Sequence, residues 1–254
     1  GFDGIDIDWE YPVTGGKNLT SSRPEDKQNF PLLLAEIREQ LSLANASRTQ
    51  YLLTVAIPGS PDLLPNYELD KIAPHVDWIN LMAYNYFGQP SKLTNLRAPL
   101  FAPSDDPVKR PAHNIDATVK AVLKAGVPAQ KIVLGVSFIG RGWGEVKNAN
   151  QGLYQTHGPA PKGTSSPGEF DYRDIAANYL GKFERHWHKE AKAPWLYDAK
   201  SGLMISYEDP ESLRHKAAYA NEQNLGGMMC WELSADDQKH TLVNTLHETL
   251  RGKR

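Results

Sequence analysis

The sequence has one cysteine, Cys230, in 254 residues, so an internal disulfide is excluded and the redox compartment stays open. It has no excess of either charge: 28 lysines and arginines stand against 30 aspartates and glutamates. That balance leaves no electrostatic footprint for a nucleic acid. No apolar run approaches the ~18 residues of a membrane span. No Gly-rich phosphate turn follows the first strand-like segment, which counts against a dinucleotide fold. Internal repeats and low-complexity tracts are missing too. The sequence does not begin with Met, and its opening residues do not read as a signal peptide. The chain opens inside a strand pattern, so the expectation is a fragment or processed piece, and the missing leader carries little weight. A chain of this length can bury a sizeable core as one large domain or two small ones.

What is present is an alternation of apolar strands and helical stretches. Five runs read as strands: "FDGIDID" (2–8), "YLLTVAIPG" (51–59), "DWINLMAYNY" (77–86), "KIVLGVSFIG" (131–140) and "LGGMMCWELS" (225–234). Between them, a 3.6-residue period carries Phe30, Leu33, Leu34, Ile37 and Leu41, and helices are expected near 61–75, 114–126, 209–223 and 236–250. Strands separated by helices predict a parallel sheet covered by helices. Five strands fit an open doubly wound sheet or five-eighths of a (β/α)8 barrel, and polar residues at successive strand ends favour the barrel. The stretch 141–206 breaks the rhythm with Gly, Pro and aromatics, and it reads as a small α+β insertion before the last strand. Domain boundaries follow at 1–140, 141–206 and 207–254.

The opening "GFDGIDIDWEYP" concentrates the chemistry. A strand has period two, so Asp6, Asp8 and Glu10 share one face while Ile5, Ile7 and Trp9 share the other. Three inward carboxylates this close cannot all ionise cheaply. Glu10, the outermost, is then positioned to stay protonated and act as a general acid near neutral pH. A calcium loop also spaces acids by two, but it needs a glycine for its sharp turn and lacks alternating Ile and Trp, so no metal site is expected. The remaining bland reading is a solvated acidic face. Met82 and Tyr84 fall on one face of "LMAYNY", and a buried tyrosine hydroxyl needs a partner that an acid cluster supplies. Paired glycines 226 and 227 let the backbone pass closely, and Trp231 lies at a strand's C-terminal end, where barrel active sites are built. Core packing would account for that tryptophan equally well. His186-x-His188 falls short of a metal site and predicts a surface position. "NLT" (18–20) and "NAS" (45–47) are sequons that matter only in a secreted eukaryotic chain.

The pattern Asp3-x-x-Asp6-x-Asp8-x-Glu10, with Trp9, Tyr11 and Pro12 around it, resembles the signature of glycoside hydrolase family 18 chitinases. The resemblance continues in order through "LMAYNYFG", "NLRAPL" (95–100), "KIVLGVSFIGRGW" (131–143), "ISYEDPESLRHKA" (205–217) and "LGGMMCWELS". It implies a TIM-type (β/α)8 barrel with strands 4–8 present and strands 1–3 missing, and an insertion that walls a deep groove. An open five-strand piece would expose edges at both ends, which puts independent folding and activity in question. The implied chemistry is retaining hydrolysis of β-1,4-linked N-acetylglucosamine in which the substrate's own acetamido group is the nucleophile. Glu10 would protonate the glycosidic oxygen and later deprotonate water. Asp8 would orient the acetamido N–H, and Asp6 would share a proton with Asp8. Tyr84 would bond the acetamido oxygen, Trp231 would floor the sugar, Arg141 would bind it and Met82 would pack beneath. Asp3, of opposite parity, would only stabilise the strand.

Three positions depart from the resemblance. Asn85 follows the tyrosine where relatives carry Asp, Ile139 replaces a Tyr, and Pro90 replaces a groove-lining Trp, with Tyr86 and Phe87 as expected substitutes. The implied partners are chitin or chitooligosaccharides, with no cofactor, nucleic acid or membrane. The implied setting is extracellular, and a completed barrel would be a monomer. Two other outcomes stay open: a catalytically silent chitin-binding protein, and an endo-β-N-acetylglucosaminidase acting on N-glycan cores or peptidoglycan.

Overall fold

The computed structural model describes residues 1–17, 20, 22–44, 50–88 and 90–251. Both sequon asparagines, Asn18 and Asn45, lie outside the described residues. The first half of the chain runs β1 (Gly4–Ile7), α1 (Asp26–Leu43), β2 (Leu52–Pro58), α2 (Leu69–Ile72), β3 (Trp78–Met82), α3 (Ile115–Lys124) and β4 (Ile132–Ser137). It continues with β5 (Ile139–Trp143), β6 (Glu169–Asp171), α4 (Tyr172–Asp174), β7 (Glu184–His188), β8 (Ala193–Asp198), β9 (Leu203–Ser206), α5 (Pro210–Glu222), β10 (Gly227–Trp231) and α6 (Thr241–Arg251).

The five apolar runs pair in the order β1-β2-β3-β4-β10, and every pairing is parallel. β2 is buried from Leu53 to Pro58, the continuous apolar run that a parallel sheet covered by helices requires. Phe30 and Leu34 of α1 and Val119 and Val122 of α3 join Val55, Ile57, Ile79 and Leu81 in one core. Leu213 and Ala217 of α5 and Leu242 and Leu246 of α6 form a second with Val136. Among the described residues the sheet does not close: β1 and β10 each have a partner on one side only. The edges show it, with Phe2 92 % and Ile5 44 % exposed. Ile5, on the face opposite the acids, is left open because β1 is terminal in the sheet.

A second, antiparallel sheet runs β6-β5-β9-β8-β7 and spans Ile139 to Ser206. Its core gathers Trp143, Leu153, Trp195, Tyr197 and Met204, and Leu96 from outside the sheet joins them. Two helices differ from expectation. The stretch 61–75 is broken into a 3₁₀ turn at Leu64–Asn66 and the four-residue α2, because Pro65 cannot donate within a helix and Pro74 ends the second piece. α6 starts at Thr241 rather than 236, because the Asp236 and Asp237 carboxylates accept from the backbone N–H groups of Leu242, Val243 and Thr241 and so cap it. The His186 ring stacks on Trp195 at 5.2 Å, while the His188 Nε2 bonds Asp105. Among the described residues no group of three His, Cys, Asp or Glu could hold a metal ion, and no helix is long and apolar enough to cross a membrane.

Close backbone approach is demanded at Gly226, where a Cβ would lie 2.2 Å from the Gln130 carbonyl oxygen. Gly135 is crowded as well, because a Cβ there would meet the Leu81 oxygen at 2.5 Å and the Tyr84 ring at 3.1 Å. Gly135→Ala is therefore expected to lower stability by about 1–3 kcal/mol through overpacking. Urea unfolding midpoints measure this, and an unchanged midpoint would contradict the packing described.

Candidate active site

Parallel strands deliver their C-terminal ends to one side, and a cleft of about 580 Å³ opens there. The β1 ladder stops at Ile7, so Asp8 and Glu10 continue past the last paired residue into this space. Met82 ends β3, with Tyr84 and Asn85 following it, and Trp231 ends β10. All six line the cleft. Trp231 is 52 % exposed and is held by its backbone, whose carbonyl accepts from Phe138 N–H at 2.7 Å. The Glu10–Tyr11 and Trp231–Glu232 peptide bonds are cis.

The three acids sit in different surroundings. Asp6 sits one alternation back along β1, opposite Thr54 in the β1–β2 register. The Thr54 hydroxyl donates to its Oδ1, and the Asn80 amide donates to the same oxygen at 3.1 Å. Three adjacent strands thus fix the Asp6 carboxylate. Asp8 has its pKa raised, first by burial, then by the negative charges of Glu10 and Asp6, and by a hydrogen bond with Glu10. The Tyr11 hydroxyl also bonds Glu10, and burial foremost drives its pKa upward. Tyr84 shifts upward mainly through burial, opposed by the positive charge of Arg97.

Arg97 was not singled out in the sequence. It is buried, reaches the cleft wall, and donates from Nε to Asn85 Oδ1 at 2.5 Å and from Nη1 to the Ile139 carbonyl. Burial and the like charge of Arg141 push its pKa down to about 9, which still leaves it cationic at neutral pH. Lys17 and Glu169 also line the cleft. They come from a loop and from the second sheet, so no strand periodicity marks them. Thr54 and Asn80 did carry a signal, as single polar residues inside apolar strands.

Two expected sugar contacts lie elsewhere. Arg141 does not line the catalytic cleft. It borders a neighbouring cavity and donates from Nη2 to Glu169 Oε1 at 2.9 Å. Tyr86 borders that same cavity, but it is 7 % exposed and its hydroxyl is engaged with Thr118 at 2.8 Å. Phe87 is buried as well, so neither ring offers a face to stack a sugar. The cause is local: the chain after Asn85 turns inward against α3. Asp3 is exposed and contributes through its carbonyl, which accepts from Leu52 N–H at 2.9 Å.

Many known proteins are similar to this chain. The chain is 47 % identical over 257 residues to Chitinase A1 of Niallia circulans, matching 98 % of itself and 37 % of that protein. Chitinase ChiA74 of Bacillus thuringiensis superimposes with a TM-score of 0.93 at 40 % identity, covering 99 % of this chain and 44 % of that one. A mutant of catalytic domain 2 of the Ostrinia furnacalis Group II chitinase, in complex with penta-N-acetylchitooctaose, (NAG)5, gives 0.90 at 28 % identity, over 100 % and 68 %. The chain spans 37 % to 57 % of the length of Chitinase A1 and two further curated relatives it matches, and only 11 % of another. With residues 1–236 also matching the profile of glycosyl hydrolases family 18, the chain belongs to that family.

Proposed function

We propose that the chain carries the catalytic site of a chitinase, hydrolysing β-1,4 linkages between N-acetylglucosamine units with retention and without a cofactor. The observation that carries this is the convergence of Asp8, Glu10, Tyr84 and Trp231 on one cleft at strand C-terminal ends, with the Asp8 pKa raised by burial and by its acidic neighbours. In this reading Glu10 gives its proton to the glycosidic oxygen and then takes one from water. Asp8 accepts the acetamido N–H, turning the acetamido oxygen toward the anomeric carbon and balancing the positive charge of the ring it forms. Asp6, tied to Thr54 and Asn80, shares the Asp8 proton when Asp8 turns. Tyr84 donates to the acetamido oxygen, Met82 packs under the sugar and Trp231 presents its exposed ring as the floor. Substrate is chitin or a chitooligosaccharide, in keeping with the oligosaccharide bound by the Ostrinia relative.

We also read the parallel sheet as strands 4–8 of a (β/α)8 barrel, with residues 1–140 and 207–254 as its parts and 141–206 as an insertion domain. One-sided β1 and β10 and the short span relative to Chitinase A1 support this. An extracellular, monomeric enzyme is the corresponding setting. A fluorogenic chitobioside tests the function: release of the fluorophore is expected, whereas binding of chitooligosaccharide with no release would move the chain to the silent chitin-binding class.

Asn85 gives a second test. Asn85→Asp would add a negative charge to the cleft wall, partly balanced by Arg97. A like charge disfavours loss of the proton from the acid pair, so the alkaline limb of kcat/KM should move up by less than about one pH unit while activity is retained. Superimposable pH profiles of the two proteins would refute this.

A further inference from the structure

Arg97 is a buried cation that no proton transfer in the proposed reaction uses. It is 4 % exposed, and a guanidinium carries five N–H donors. Two of them are spent inside the chain, both on neutral oxygens: Nε on Asn85 Oδ1 and Nη1 on the Ile139 carbonyl. The carboxylates that act on it, Glu169 and Glu208, do so without a hydrogen bond, because each is bonded to another cation, Glu169 to Arg141 and Glu208 to Lys216. Burying a charge with no acid bonded to it is costly, and so is leaving its donors unused.

The Nη2 group bonds nothing in the chain, yet it is not sealed in, as the partnerless Nε of Arg141 is. Arg97, Asn85 and Ile139 all line the catalytic cleft, so Nη2 opens on that space. Its aim is fixed from both ends. The Arg97 N–H donates to Ser206 Oγ at 2.9 Å, its carbonyl accepts from the Tyr86 N–H at 3.0 Å, and Asn85 and Ile139 hold the guanidinium plane. A fork held in this way loses little freedom for each further hydrogen bond.

We propose that Arg97 is a substrate-binding residue, its Nη2 donating to a hydroxyl oxygen of the N-acetylglucosamine unit seated on Trp231, the role expected of Arg141. This rests on the chitinase reading above and adds a residue to it. In that reading Tyr84 takes the acetamido oxygen and Trp231 takes the ring face. A wall residue therefore meets the edge of the sugar, where a unit linked on both sides has only its 3- and 6-hydroxyls free.

The test compares kcat/KM for cleavage of chitotetraose and of its 3-deoxy and 6-deoxy analogues by the protein, by Arg97→Gln and by Arg141→Gln. The protein is expected to cleave one analogue about tenfold less well than chitotetraose, the scale of one hydrogen bond from a charged donor. The other analogue should stay within about twofold. In Arg97→Gln the discrimination should fall to within about twofold, while chitotetraose itself is cleaved about tenfold less well. A merely structural role would lower all three rates together and keep the discrimination. Equal rates on all three substrates, or equal losses on both analogues, overturn the proposal. So does discrimination that survives Arg97→Gln. If Arg97→Gln does not fold, Arg141→Gln decides: discrimination that it abolishes belongs to Arg141 and overturns the proposal, and discrimination that it leaves intact supports Arg97. If the protein cleaves neither chitotetraose nor the chitobioside, the functional reading fails with it; cleavage without hydroxyl discrimination sinks this inference alone.

Discussion

Glu10→Gln is expected to lower chitobioside turnover by about 10²–10⁴-fold, the usual contribution of a positioned general acid. The amide keeps the size of the side chain and can still bond Asp8 and Tyr11, so geometry is preserved while the transferable proton is removed. Glu10 is exposed in the cleft and supports no core residue, so the thermal midpoint should move little. Oligosaccharide affinity should also be retained, since Trp231, Met82 and Tyr84 are untouched. A kcat within tenfold of the parent would remove Glu10 from the proton-transfer role. The pH–rate profile adds a second reading. Glu10→Gln should erase the alkaline limb in any residual activity.

Much of this was legible in "GFDGIDIDWEYP". Period-two alternation separates Asp6, Asp8 and Glu10 from Ile7 and Trp9, and Trp9 does pack inward, edge-on to Phe30 at 5.5 Å. The parallel order of five apolar runs was equally readable, because unbroken Val, Ile and Leu stretches have few other folds open to them. Spacing placed Asp8 between two acids, but that its pKa is raised first by burial and only then by Glu10 and Asp6 depends on the fold around it. Arg97, Lys17 and Glu169 were illegible for a different reason. Each reaches the cleft from a loop or from the second sheet, and no local period encodes a contact made across 40 or more residues, such as that of Arg97 with Ile139. Tyr86 misled because an aromatic next to a catalytic strand reads as a stacking ring until its hydroxyl is found on Thr118 of α3.

Lys216→Ala is expected to destabilise the fold by about 3–5 kcal/mol, the effect of removing one partner from a buried ion pair. Lys216 is 0 % exposed. Its Nζ donates to the Glu208 carboxylate and to the Ala98 carbonyl at 2.8 Å, and the Ser212 hydroxyl donates to the other Glu208 oxygen at 2.6 Å. Burial pushes the Glu208 pKa up and the Lys216 pKa down, and each partner's charge opposes the shift of the other. Without the lysine, Glu208 loses its compensating charge and takes up a proton in the folded state more readily. A carboxyl whose folded pKa lies above its unfolded value binds more protons when folded, so stability falls as pH rises from the unfolded value through the folded one. The loss in Lys216→Ala should accordingly be larger at pH 7 than at pH 4, and urea unfolding at both values measures it. The double variant Lys216→Met with Glu208→Leu should recover most of the stability at pH 7, because apolar replacement of a whole buried pair is often neutral. It should not recover the site fully. Lys216 holds Ala98, the adjacent Arg97 N–H donates to Ser206 Oγ at 2.9 Å, and Arg97 in turn holds Asn85 at the cleft. A stable double variant with unaltered kcat would show that this strut supports the core alone; a stable one with reduced kcat would show that it also sets the Asn85 wall of the cleft.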